Sequence, residues 1–155
     1  MLTYHISQLD QTKQLTWDNL SATCDEVICL VGSAGRGKTT QLLELAIDHS
    51  SQGKDVLVFT LESSEEQMLQ RLQSLQPSQP MPGKIKIKQL MIGTGLGTIQ
   101  DYLEAAELKG ELPNSVIIDY YNVMDLSNPA DLDDLCTEFN IFVATAINQS
   151  QHHLT

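Results

Sequence analysis

The sequence predicts an α/β fold, with a three-layer, doubly wound and mostly parallel sheet of about five strands and helices on both faces. Two observations predict it. Short apolar runs alternate along the chain with segments of helical periodicity, and the loops that join them are short. Most of the apolar runs are typical of strands buried on both faces, as in a parallel sheet. The length of 155 residues fits one domain.

Five segments have the pattern of strands. In chain order they are residues 27–31, 55–61, 84–88, 116–119 and 141–147. The third alternates lysine with isoleucine, which predicts a half-exposed strand at a sheet edge. Lys84, Lys86 and Lys88 would then protect that edge by charge, and a nucleic-acid contact is the alternative. Residues 2–6 are compatible with a further short strand.

Four segments carry apolar side chains at helical spacing. The first runs from about Lys38 to His49, the second begins at Ser63 and stops at Pro77, the third begins at Thr98 and ends at Gly110, and the fourth spans Leu132 to Phe139. In the second helix, Ser63 and Glu66 are expected to form a capping box. Its predicted core face is Met68, Leu69, Leu72 and Leu75. Thr98 is expected to cap the third helix.

A glycine-rich loop with the pattern G-x-x-x-x-G-K-T joins the first strand to the first helix, which is the context that this phosphate-binding motif requires. Its residues are Gly32, Ser33, Ala34, Gly35, Arg36, Gly37, Lys38, Thr39 and Thr40. Glycines let the backbone turn its N–H groups toward a phosphate. Lys38 would reach the β and γ phosphates of a nucleotide, and the Thr39 hydroxyl is a ligand for Mg²⁺. A glycine-rich loop that matches by accident is the alternative.

Polar side chains follow three of the predicted buried strands. Asp119 ends the strand 116–119, Glu62 follows 55–61, and Gln149 comes shortly after 141–147. A carboxylate at the end of a buried strand is costly unless it is paired or binds a metal, and Mg²⁺ is the natural partner of Asp119 beside a phosphate loop. An exposed aspartate is the alternative. Ligands of parallel sheets lie beyond the carboxyl ends of the strands, so these residues are expected to converge there.

Composition disfavours several classes of partner. The net charge of −11 repels both nucleic-acid phosphates and membrane surfaces. No apolar stretch approaches the length of a membrane span, and residues 1–20 show no export signal. The three cysteines, Cys24, Cys29 and Cys136, have no metal-binding spacing. They are expected to be reduced packing residues in a cytoplasmic protein.

Four blocks of the sequence resemble the RecA-like P-loop ATPases, in particular the ATPase core of DnaB-type replicative helicases and their RadA and KaiC relatives. They lie, in the order of that family, at residues 32–40, 58–71, 116–124 and 142–149. The first and third are similar to Walker A and Walker B motifs. The second, a strand that ends in Leu61-Glu62 before a helix with Arg71, is the discriminating one. The resemblance implies an ATPase core at 25–150, preceded by a segment, 1–24, that packs on it, and followed by a tail, 151–155.

The resemblance implies a role for each matching residue. Lys38 and the loop amides would bind the β and γ phosphates of ATP, while Thr39 and Asp119 would hold Mg²⁺. Glu62 would activate the attacking water. Gln149 would sense the γ-phosphate. The implied strand order runs from 84–88 at one edge through 55–61, 116–119 and 141–147 to 27–31.

The sequence also departs from the family. The motors continue beyond the glutamine with further strands, DNA-binding loops and an arginine finger, and neither Arg36 nor Arg71 matches that finger. We therefore expect a minimal, truncated domain that binds Mg·ATP and hydrolyses it weakly, in an accessory or regulatory role. A partner or a second copy would supply the finger. The edge of strand 27–31 would be covered by the N-terminal segment or by another subunit.

Two other functions stay open. The chain could be a DNA-dependent helicase or recombinase-type motor that acts as an oligomer on single-stranded DNA or with a DNA-processing protein. The resemblance favours this function, and the acidic charge opposes it. The other is an interaction module that binds nucleotide without hydrolysing it.

Overall fold

Six strands form one sheet in the computed structural model of this protein, which describes residues 2–5, 27–32, 37–75, 83–119 and 131–148. The strands are β1 (Leu2–His5), β2 (Val27–Gly32), β3 (Val56–Thr60), β4 (Ile85–Gln89), β5 (Ser115–Asp119) and β6 (Phe142–Asn148). The helices are α1 (Lys38–Ser51), α2 (Glu65–Leu75), α3 (Leu96–Leu108) and α4 (Asp131–Phe139). The sheet therefore has one strand more than the predicted number of about five.

The strand order is β1-β2-β6-β5-β3-β4. The five strands from β2 to β4 run parallel, so the prediction of a mostly parallel sheet is confirmed, as is the order implied for those five. The additional strand β1 pairs antiparallel with β2, from Leu2 opposite Val31 to His5 opposite Ile28. Part of the N-terminal segment thus covers the edge of β2. Residues 6–26 lie outside the described part of the chain.

Helices cover both faces of the sheet, which gives the three layers. The core on one face joins α1 and α2 to side chains such as Val58 and Ile117. The core on the other face joins α3 and α4 to neighbours on the same strands, such as Phe59 and Ile118. Because successive side chains of a strand point to opposite faces, β3 and β5 are buried throughout. None of the helices described has the length and apolar character needed to cross a bilayer.

The capping box of α2 forms one residue later than predicted. The Gln67 N–H donates to the Ser64 hydroxyl at 3.1 Å, and the Ser64 N–H donates to the Gln67 side-chain oxygen at 3.0 Å. The predicted pair of Ser63 and Glu66 is therefore wrong. Ser63 belongs to the preceding turn, where its carbonyl accepts a hydrogen bond from the Thr60 hydroxyl at 2.9 Å. Leu69, assigned to the core face, is 46% exposed.

The start of α3 also differs from the prediction. The helix begins at Leu96 after an extended Gly95, and no side chain caps it, so Thr98 is not its N-cap. The end agrees with the prediction. Gly110 adopts the left-handed conformation with φ of +72°, and the Glu111 N–H closes the last turn on the Ala106 carbonyl at 2.8 Å. Glycine takes this conformation without the strain that a side chain would bring.

A buried histidine joins the end of α1 to the sheet. His49 is fully buried, its Nδ1 lies 2.6 Å from the Ser115 hydroxyl, and its ring packs edge-on against Phe142 at 4.7 Å between centroids. Its Nε2 has no hydrogen-bond partner among the described residues. Burial, assisted by the positive charge of Lys54, lowers the pKa of His49 to about 4. The folded protein therefore holds this ring neutral.

This pKa predicts a specific loss of stability in mild acid. An unfolded chain protonates His49 near its ordinary pKa of 6.5, whereas the folded chain resists protonation until about 4, so stability is lost as the pH falls through that window. We expect the free energy of unfolding to drop by about 2 kcal/mol between pH 7.5 and pH 5 on this account alone. Urea unfolding at both pH values checks this. The variant His49→Gln, which does not titrate, should lose correspondingly less stability, and an equal loss would contradict the prediction.

Candidate functional site

The carboxyl ends of β3 and β5 bring Glu62 and Asp119 to the same edge of the sheet. Thr60 pairs with Asp119 in the parallel register, and one residue later the Leu61 N–H donates to the Asp119 carbonyl at 3.0 Å. Glu62 follows at once, where the chain leaves the sheet. The predicted convergence of these two carboxylates is a direct result of the register.

The start of α1 lies at this edge as well. Gly37 has φ of +78°, a left-handed conformation that an L side chain would strain, and its carbonyl accepts the Gln41 N–H at 3.0 Å to open the helix. Lys38 and Thr39 are the first two residues of α1. Gly32, which begins the predicted phosphate loop, is the last residue of β2 and pairs with Asn148.

A direct contact joins the helix to the sheet at this point. The Thr39 hydroxyl donates to the Asp119 carboxylate, with Oγ1 at 3.1 Å from Oδ2 and 3.3 Å from Oδ1. The two residues are 80 positions apart in the sequence. Hydroxyl and carboxylate oxygens are the hard ligands that Mg²⁺ prefers. The fold thus places two oxygen ligands together beside the first turn of a helix.

Burial dominates the electrostatics of the pair formed by Lys38 and Asp119. Asp119 is only 5% exposed, and burial raises its pKa. The hydrogen bond from Thr39 and the charges of Arg71 and Lys38 oppose that rise, while the negative charge of Glu62 adds to it. Lys38 is 6% exposed, and burial lowers its pKa although Asp119 opposes this. Burial thus disfavours the charged form of both groups. Around Asp119, the hydrogen bond and the positive charges that the structure describes only partly offset the cost of burying the carboxylate.

We expect Asp119→Asn to raise the thermal stability of the ligand-free protein. The raised pKa means that ionised Asp119 costs the folded state more than the unfolded state, so stability falls as the pH rises through that pKa. Removing the charge relieves this cost, with a gain in Tm of about 2–4 °C for each kcal/mol relieved.

The matched control is Asp101→Asn, on the exposed surface of α3. Differential scanning calorimetry at neutral pH compares the two variants. A lower Tm for Asp119→Asn than for the control would show that Asp119 contributes to folding rather than opposing it.

The structure brings together four of the predicted site residues: Lys38, Thr39, Glu62 and Asp119. Thr40 is exposed on the first turn of α1. Other predicted members lie outside the described residues, namely Ser33, Ala34, Gly35, Arg36 and Gln149. Their roles stay predictions.

Arg71 also acts on this site, although no functional role for it was predicted from the sequence. Arg71 lies on α2, and its positive charge lowers the pKa of Asp119. Together with Ser63, Gln67, Gln70 and Ser74 it lines a polar cleft of about 480 Å³. A signal for this existed in the sequence. Gln67, Gln70, Arg71 and Ser74 recur at helical spacing, so they share the polar face of α2 directly after Glu62.

Two solved structures have a similar fold. One is a DnaB-like replicative helicase, described with its interactions with primase, which matches with a TM-score of 0.64 at 16% identity over 84% of this chain and 40% of the helicase chain. The other is the ATPase domain of a second protein, with a TM-score of 0.61 at 15% identity over 84% of this chain and 59% of that chain. This chain therefore spans less than two thirds of either. No protein-family model and no curated protein matches the sequence. The likeness shows that this chain shares the fold of the matching parts of these two proteins.

Proposed function

We propose that this chain is a RecA-like domain that binds Mg·ATP and hydrolyses it weakly on its own, in an accessory or regulatory role. The observation that carries the proposal is the contact between Thr39 and Asp119 with Lys38 beside it, at the start of a helix that follows a glycine in the left-handed conformation. A hydroxyl, a carboxylate and a lysine in this arrangement suit a metal-bound triphosphate.

The donor set fits Mg²⁺. The Asp119 carboxylate is buried with a raised pKa, which is the state of an anion that lacks a full counter-charge, and the Thr39 oxygen lies next to it. Thr39 and Asp119 would hold the ion, directly or through water. When bound, Mg²⁺ neutralises the charge that develops on the phosphates during transfer.

Lys38 and the amino end of α1 would hold the phosphates themselves. The N–H groups of a first helical turn point out of the helix, and the helix dipole adds positive potential there. α1 has 14 residues and no acidic residue in its first turn, so nothing in that turn opposes an anion. Lys38 adds a positive charge next to Asp119, which favours that charge although burial opposes it.

Glu62 would act as the general base that takes a proton from the attacking water. It is exposed, it follows β3 at the edge that carries Asp119, and its charge reaches Asp119. Gln149, directly after β6, would sense the γ-phosphate. The Arg71 charge would offset part of the negative charge of the two carboxylates, and hydrolysis stays weak without an arginine supplied by another subunit.

Calorimetric titration of the protein with ATP tests the binding proposal. We expect ATP to bind in the presence of Mg²⁺ and more weakly after chelation of the ion, and we expect AMP, which lacks the β and γ phosphates, to bind little. Bound ATP should also stabilise the fold, by about 2.7 kcal/mol at a hundred times Kd. Equal binding of AMP and ATP would refute the phosphate-loop assignment.

A DNA-dependent motor is the second candidate, and the fold likeness to a DnaB-like helicase favours it. The net charge of −11 opposes it.

ATP turnover with and without single-stranded DNA, measured together with the mass of the protein in solution, separates the two functions. If single-stranded DNA stimulated ATP turnover and the protein were an oligomer, the motor function would replace the accessory one. Tight ATP binding without turnover in either condition would indicate an interaction module. We also propose a reducing, cytoplasmic setting, which suits a buried thiol such as that of Cys136, a donor to the Ile141 carbonyl at 2.9 Å.

A further inference from the structure

A groove lies between the edge strand β4 and helix α3, at the amino ends of the strands and therefore away from Asp119. Ile85 and Ile87 of β4 pack toward α1 and α2. The alternate residues Lys84 and Lys86 face the other side of the sheet, where they line a cavity of about 340 Å³ with the start of β3 and the last turns of α3. Helix α3 thus leaves the edge strand uncovered at this point.

Three lysines line the cavity. Lys84 directly precedes β4, Lys86 lies on β4, and Lys109 follows the last residue of α3, on the opposite wall. Protection of a sheet edge by charge would explain lysines on β4, but it does not explain the lysine that faces them from the helix.

The remaining walls are largely apolar. Leu57 forms part of the floor, and Ala105 and Ala106 leave room along the helix. Tyr102 adds an aromatic wall, held edge-on against Phe59 at 5.6 Å between ring centroids. An apolar body and a charged group would therefore each meet a matching surface in the same cavity.

Two carboxylates also line the groove and limit what it can accept. They are Asp55, whose Oδ1 accepts the Lys84 backbone N–H at 3.0 Å, and Glu111. Three lysines and these two carboxylates give the groove a net charge of +1, whereas the whole chain has a net charge of −11. A long polyanion such as nucleic acid would meet these carboxylates and the acidic surface beyond them. A small anion with a single charged group would not.

We propose that this groove binds a small organic anion with an aromatic body, of the aryl phosphate or aryl carboxylate class. The volume lies in the range of ligand sites, about 300–1,000 Å³. The lysines provide charge-assisted hydrogen bonds to the anionic group, and the aromatic body packs between Tyr102 and the two alanines. The site is separate from the candidate nucleotide site, and the proposal does not depend on the proposed function.

Titration of the labelled protein with naphthyl phosphate, followed by two-dimensional NMR, tests the proposal. We expect shifts to be centred on residues 84–88 and 102–111, while inorganic phosphate and naphthol should each bind more weakly than the combined molecule. Lys86→Ala should weaken binding about tenfold, as expected for one charge-assisted hydrogen bond. Lys88→Ala is the matched control, because Lys88 is exposed on the same strand but does not line the cavity.

A second variant keeps every charge of the groove and reduces only its free volume. Ala105 is exposed on α3, so Ala105→Leu should fold normally and fill the groove, with loss of naphthyl phosphate binding. If Lys86→Ala and Lys88→Ala bound naphthyl phosphate with equal affinity, the proposal would be overturned. Shifts centred on residues 38–40 instead of the groove would overturn it as well, since they would assign the anion to the candidate nucleotide site.

Discussion

Replacing Lys38 by alanine is expected to weaken ATP binding severely. The Lys38 side chain is largely buried at the first turn of α1 and interacts with Asp119, so a triphosphate would gain a charge-assisted contact there. Truncating one partner of such a contact costs about 2–5 kcal/mol, which weakens Kd roughly 30- to 5,000-fold. Calorimetric titration with Mg·ATP measures the loss.

The control for this variant is Lys88→Ala. It removes the same side chain from an exposed position on the edge strand β4, so it changes the net charge equally and leaves the candidate nucleotide site intact. Circular dichroism should show that both variants fold. If ATP bound Lys38→Ala as tightly as it binds the control, Lys38 would not be the phosphate ligand and the site assignment would fail.

Replacing Glu62 by glutamine is expected to separate binding from hydrolysis. Glutamine has nearly the same shape but cannot accept the proton of the attacking water, and a general base contributes about 10²- to 10⁴-fold to a rate. Turnover should fall by that factor. ATP affinity should stay equal or rise slightly, because one negative charge near Asp119 is removed. Phosphate release in single-turnover conditions, with affinity from calorimetry, measures both quantities.

The matched control is Glu65→Gln, three residues along the chain in the first turn of α2, where the carboxylate is exposed. That variant should keep the turnover of the unmodified protein. Retained turnover in Glu62→Gln would remove Glu62 as the base.

The sequence predicts the central strands well because their signal is local. Residues 116–118, for example, are apolar throughout, and burial on both faces follows from that. The meeting of Thr39 with Asp119 across 80 residues was also predictable, since parallel strands collect their carboxyl ends at one edge. Boundaries were less predictable: both Ser63 and Ser64 have the chemistry of a cap, and only the turn made by Thr60 decides between them.

Other features depend on contacts that leave no local pattern. The pairing of His49 with Ser115 joins a helix end to a distant strand, and neither residue lies in a recognisable motif. The groove beside β4 places Lys109, which follows α3, in the same lining as Lys84 and Lys86, and the chain order does not reveal this proximity. The polar face of α2 that carries Arg71 can be read from the sequence, but the effect of the Arg71 charge on Asp119 depends on how that helix packs on the sheet.

The antiparallel pairing of β1 has a practical consequence for fusion proteins. Since Leu2 lies opposite Val31, one residue before the glycine that opens the predicted phosphate loop, a tag or carrier attached ahead of Leu2 would emerge at the rim of the candidate nucleotide site. Purification handles at that position would crowd incoming ligands, and enzymatic assays are best performed after their proteolytic removal.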